Sequence, residues 1–274
     1  MIHVVGLRSP IAFRLPGPLT TESLTADLEA VAIVFEGHEF IWHPPMRREI
    51  DGEIEDFGPM VSVLVAGVED SPVVMEALQR FFSAIAFRFG EPVEDVIHGG
   101  VGGDDPWNPH GARTQRYFAA THVLDAPCGI TVVPDEALWL ALALYREGVN
   151  ATSSIYRCLC FKNVLDAVFN VERETVRPGV VTDEAKARDE FINSRAGLFA
   201  EWHKVAPPAS DWGTYFRDEI RNAAAHVVRA EGKRVLNPDR PRERVLLQHD
   251  ASVLLNLASE AIGERWPANV SVDT

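Results

Sequence analysis

The spacing of apolar residues changes character near Val133-Pro134, and that change limits the chain to strands first and helices after. Before it, residues 30–42 (AVAIVFEGHEFIW) read as a hairpin turning at Glu36-Gly37 and closed by Pro44-Pro45. Residues 60–68 (MVSVLVAGV) read as a buried strand by length and β-branching. Residues 71–89 are amphipathic, with Ser71 as cap, Pro72 at the first helical position and Gly90 at the end. Residues 121–133 supply one or two further strands. The expected fold class is α+β, with an N-terminal mixed domain over 1–133 and a helical bundle over 134–274.

Past the break the apolar period becomes helical. Residues 134–170 read as two helices interrupted near Gly148-Val149-Asn150; in the second, Ile155, Leu159, Val164, Leu165 and Val168 fall at helical spacings, with Tyr156, Arg157, Lys162 and Asp166 between them. A third helix is expected over 183–204 and a last one over 242–264. Between them, residues 211–231 form a helix capped by Ser210 or Asp211 and stopped by Gly232. Its Ile220, Ala223, Ala224 and Val227 stand at i, i+3, i+4 and i+7, one buried stripe.

That helix carries the segment Arg221-Asn222-Ala223-Ala224-Ala225-His226. At about 100° per residue, Asn222 projects opposite the stripe and His226 well away from it, while Arg221 lies at the other border. The polar members therefore face a groove or a partner. Histidine titrates near neutrality and can move a proton from a ribose 2′-hydroxyl or to a leaving oxygen. The arginine fork suits phosphate oxygens, and the amide can orient the imidazole. Together they can cleave RNA through a 2′,3′-cyclic phosphate without a metal or other cofactor. A solvated arginine and a surface histidine are the bland alternative.

The Arg-Asn-x-x-x-His pattern resembles the R-x4–6-H motif of the HEPN superfamily, and the helix order is the one expected of a HEPN bundle. The stretch from Tyr156 to Asp166 looks like the first long helix of the ApeA-like branch, where an acidic residue often stands at the place of Asp166. The arrangement is also similar to the accessory family associated with methylamine utilisation (MauJ-type). These resemblances cover the C-terminal half well and the N-terminal half loosely. They imply a homodimer whose two motif helices meet to build one composite site. They also imply an endoribonuclease with His226 as acid/base, Arg221 as phosphate clamp and Asn222 as orienting amide, serving defence, stress or toxin regulation. A non-catalytic accessory or nucleotide-binding protein is the alternative.

Charge bears on the partner. The chain carries a net −14, which argues against extended DNA binding. Yet residues 217–244 hold eight basic residues against five acidic ones. Arg217, Arg229, Lys233 and Arg234 are accordingly expected to contact RNA or a nucleotide.

Other features carry less. The run His98-Gly99-Gly100-Val101-Gly102-Gly103-Asp104-Asp105 lacks the lysine and Ser/Thr of a P-loop and is expected to be a surface loop. His98, Asp104, Asp105 and His110 have no specific metal spacing, and His38 and His43 lie on opposite faces of a strand, so no metal is expected. His203 reads as a C-terminal cap, and His249 would approach His226 only if their helices are neighbours. Cys128, Cys158 and Cys160 suit free thiols in a reducing cytoplasm. Neither a signal peptide nor a membrane span is expected: the opening apolar run ends at Arg8-Ser9-Pro10, and residues 137–144 are too short to cross a bilayer.

Overall fold

The protein is seen here as a computed structural model. It describes residues 2–8, 11–14, 30–44, 46–50, 53–57, 59–65, 70–101, 122–125, 135–171, 182–208, 210–221 and 241–266. Two compact units divide the chain: Met1–Val132 makes up the larger part of one, and Val133–Asn269 is the other. The fold class is mixed, a sheet-bearing unit followed by a mostly helical one.

In the first unit a five-stranded antiparallel sheet runs in the order β3-β4-β7-β1-β8. Its members are β1 (Ile2–Arg8), β3 (Val31–Phe35), β4 (His38–His43), β7 (Met60–Leu64) and β8 (Glu94–Val101). The hairpin turns where expected, with Glu36 at φ 48° and Gly37 at φ 77°, the left-handed pair that a tight two-residue connection requires. Alternation puts Val31, Ile33, Phe35, Phe40, Trp42, Val61 and Val63 on one buried face. Helix α1 (Ser71–Phe89) covers it with Phe81 and Phe82, Phe81 stacking on Phe40 at 6.2 Å.

Pro72 and Gly90 bound α1 as expected, but Asp70, not Ser71, occupies the N-cap position and makes no side-chain cap bond. Strand β2 (Ile11–Arg14) pairs in parallel with β9 (His122–Asp125), and β5 (Met46–Ile50) forms a hairpin with β6 (Glu53–Phe57).

One expectation is overturned. The first half of the glycine-rich run is strand, not loop: His98 pairs with Val5, Gly99 with Val4 and Gly100 with His3. Glycine has little preference for a strand, but the edge of β1 supplies the ladder partners that local sequence lacks. Residues Asp104, Asp105 and His110 lie outside the described residues, as does Cys128.

The helical unit contains α2 (Glu136–Asn150), α3 (Ser154–Val168), α4 (Asp183–Trp202), α5 (Trp212–Thr214) and α6 (Pro241–Arg265). Four N-termini are capped by acid or hydroxyl side chains: Asp135 on Ala137 N, Ser153 on Tyr156 N, Thr182 on Ala185 N and Asp211 on Thr214 N. The break expected at 148–150 falls slightly later, since α2 runs through Asn150 before Ala151 turns extended. Helix α3 lies against both α2 and α6 around Leu142, Phe161, Val164, Leu165, Leu254 and Leu257, all fully buried. Gly148 lets α3 approach α2: a Cβ there would stand 2.5 Å from Phe161 Cε1. His203 is the C-cap of α4, and Asn256 Nδ2 lies 2.7 Å from its Nε2, tying that end to α6. No described helix is long and apolar enough to cross a membrane.

Candidate functional site

The segment expected to be one regular helix from residue 211 onward is not regular at its start. Asp211 caps α5, and the chain then widens into a π-helical turn, Tyr215–Arg221. Such turns are rare, tend to occur at functional sites and need outside support. Trp212, Phe216 and Ile220 point into the core, with Trp212 and Phe216 stacked at 5.5 Å.

Two helices grip this turn with polar groups. From α4, Asp189 Oδ2 accepts a bond from Arg217 Nη1 at 3.1 Å. One helical turn further along, Asn193 Oδ1 accepts from the Gly213 amide at 3.0 Å, and its Nδ2 donates to Asp211 Oδ1 at 3.2 Å. The Gly213 backbone passes so close that a Cβ there would lie 2.9 Å from Asp189 Cβ. From α6, the fully buried Asp250 accepts the Tyr215 hydroxyl proton through Oδ2 at 2.9 Å.

Behind Asp189 lies a buried chain of alternating charge. Arg188 donates through Nε and Nη2 to Asp189 Oδ1, at 2.9 and 2.7 Å, and through Nη1 to Asp166 Oδ1 at 2.6 Å. Lys162 donates to the same Asp166 oxygen at 2.7 Å. Lys162, Asp166 and Arg188 are all buried, so each charge depends on the others for its stability there. Burial by itself would raise the Asp166 pKa, but Lys162 and Arg188 outweigh it and hold the carboxyl below the usual range. For Asp211, the bond from the Thr214 amide is the largest influence and lowers its pKa.

Of the residues singled out from the sequence, Arg221 closes the π-helical turn. Arg217 sits on the turn's outer edge, half-buried and engaged with Asp189, Asp218 and Thr214. Asn222, His226, Arg229, Lys233 and Arg234 lie outside the described residues. His249 is on α6, directly before Asp250. Asp166 was visible as an acid amid apolar helix positions. Asp189, Asn193, Gly213, Tyr215 and Asp250 were not singled out. The signal present was the i,i+4 spacing of Asp189 and Asn193 on a single helix, which places them on one face.

Cys158 and Cys160 are free and buried, Cys158 donating its thiol to the Leu247 carbonyl. Among the described residues, no group of three or more His, Cys, Asp or Glu side chains could hold a metal ion.

Residues 141–263 match the family model described as Methylamine utilization protein MauJ. The C-terminal half is similar to that family. The matched span begins inside α2 and ends inside α6, so it takes in the charge chain, the π-helical turn and the 221–226 segment. No curated protein and no solved structure matches the chain.

Proposed function

We propose that the chain is a MauJ-type accessory protein in methylamine utilisation, built on a HEPN-like helical unit that presents residues 221–226 as a phosphate-recognising face. The observation that carries this reading is the family match, which covers most of the helical unit and includes the motif. The helical domain, 134–274, supplies the site, and the N-terminal domain, 1–133, acts as sensor, inhibitor or selector. The protein works in the cytoplasm as a homodimer through the motif helix. Its partner is RNA or a nucleotide, held by Arg221 with Arg229, Lys233 and Arg234. Deletion of the gene from its host should impair growth on methylamine as nitrogen source and leave growth on ammonium intact. Equal growth on both would overturn the accessory role.

A second reading is favoured by the way the turn ending at Arg221 is anchored from both sides. An anchored turn suits catalysis, where groups must meet developing charge without rearranging. In this reading the protein is a metal-independent endoribonuclease. His226 takes the proton of the 2′-hydroxyl, the oxygen attacks phosphorus, and the bond to the 5′-oxygen breaks. The leaving oxygen gains a proton and a 2′,3′-cyclic phosphate remains, while Arg221 neutralises the phosphoryl oxygens. Purified protein should then cut RNA in EDTA, and His226→Ala should abolish cutting while leaving the dimer intact. Cutting undiminished in that variant would sink the assignment.

A further inference from the structure

A cavity of about 560 Å³ lies between α2 and α3, within the size range of small-molecule sites. Ala137, Leu140 and Leu144 line it from α2 at i, i+3 and i+7, so that wall is apolar. Leu140 is the most exposed of the three, at 54%. Asn163, Asp166 and Asn170 line it from α3 at the same spacing, so the facing wall is polar. Asp166 takes both Lys162 and Arg188 on one oxygen, Oδ1, at 2.7 and 2.6 Å. Its Oδ2 accepts no hydrogen bond among the described residues, and neither does the Asn170 side chain make one. Asn170 stands at φ 52° just past the end of α3, a conformation asparagine tolerates better than most residues.

Charge decides which head group suits this wall. Burial works against the ionised form of Asp166, but Lys162 and Arg188 outweigh it, so the carboxyl is charged at neutral pH. An anion entering the cavity would meet that carboxylate. A cation would find no surplus negative charge there: Lys162 and Arg188 face Asp166 and Asp189, two against two. What remains is an acceptor whose charge is already balanced, the partner of a neutral N–H or O–H.

We propose that this cavity binds a small neutral aliphatic amide. Its N–H donates to Asp166 Oδ2, its carbonyl accepts from the Asn170 carboxamide, and its chain lies along Leu140 and Leu144. An amide presents a donor and an acceptor in fixed geometry, which matches a carboxylate beside a carboxamide. This site is separate from the 221–226 segment and does not rest on the phosphate reading.

The test titrates the full-length protein, by calorimetry, with hexanamide, hexylammonium and hexanoate, three ligands that share a tail and differ in the head. Hexanamide should bind about tenfold tighter than either charged ligand, the difference one well-made hydrogen bond supports. Leu140→Gln, a change at an exposed helix position, should weaken hexanamide about threefold by removing apolar wall, with helical circular dichroism retained. Asn170→Asp removes the donor to the carbonyl and adds a negative charge, in a residue that also accepts the left-handed backbone. It should weaken hexanamide about tenfold and strengthen hexylammonium. Equal affinity for the three heads, or hexanamide binding unmoved by Asn170→Asp, would overturn the assignment of the polar wall. A wild-type preference for hexylammonium would overturn the neutral class of ligand, and the lack of saturable hexanamide binding would overturn the site itself.

Discussion

Arg188 Nη1 lies 2.6 Å from Asp166 Oδ1, and both side chains are buried between α3 and α4 together with Lys162. The carboxylate is thus a counter-charge shared by two buried cations, and Arg188 also pairs with Asp189. Such an arrangement adds little over an apolar core when intact, but removing the shared acid takes a close counter-charge from two buried cations at once.

Asp166→Ala should therefore destabilise the protein by about 3–5 kcal/mol, as measured by urea unfolding of the full chain. Asp166→Asn should cost less, since an amide oxygen still accepts one bond. The acid response has a definite sign. The folded carboxyl titrates below its unfolded value of about 3.9, so its stabilisation is complete above that pH and is lost as pH falls through the folded value. The slope of stability against pH below about 4 should thus be shallower in Asp166→Asn than in wild type. Identical slopes would show that Asp166 does not contribute.

How much of this was legible beforehand depended on whether local sequence or distant partners decided each element. Helix α1 was readable because Pro72 and Gly90 mark both ends, and the β3–β4 turn because Glu36-Gly37 suits a left-handed pair. Strand β8 was hidden, since His98-Gly99-Gly100 becomes strand only through pairing with β1. The π-helical turn was hidden for the same reason: Asp189 and Asp250, the residues that hold it, lie on other helices. At the candidate site the acid of the buried triad could be picked out, as could Arg217, yet the role of Arg217 depends on a partner 28 residues away.

Gly148→Ala tests the contact between α2 and α3. Alanine is the better helix former, by roughly 1 kcal/mol in an exposed position. Here the added methyl would lie 2.5 Å from a ring carbon of Phe161, which is fully buried and cannot swing aside. Overpacking should win, with a net loss of about 1–3 kcal/mol by thermal or urea unfolding. A stabilised variant would mean that the two helices can separate without penalty.

Thiol reactivity should follow burial. Burial, reinforced by the charge of Asp250, pushes the Cys158 thiol far up, and burial pushes Cys160 up to about 11. Neither is a thiolate at neutral pH. Native protein treated with a thiol reagent at about pH 8 should stay unlabelled at both positions by mass spectrometry, while protein unfolded in urea should label fully. Rapid native labelling at Cys158 would show that α3 and α6 open readily.

The first unit offers a pH test of its own in His43. Its Nε2 lies 2.7 Å from Ser62 Oγ inside the sheet, and burial lowers its pKa. A buried neutral imidazole with a depressed folded value favours the native state above the unfolded value of about 6.5. As pH falls below that value the unfolded chain takes up a proton that the folded sheet resists, so stability declines until the folded value is passed. Amide exchange along the ladder between β4 and β7, where Trp42 faces Val61, should therefore speed up as pH falls below about 6.5 once corrected for intrinsic rates. His43→Leu should remove this extra acceleration, whatever its effect on stability at neutral pH. An unchanged pH response in that variant would assign the effect to another group.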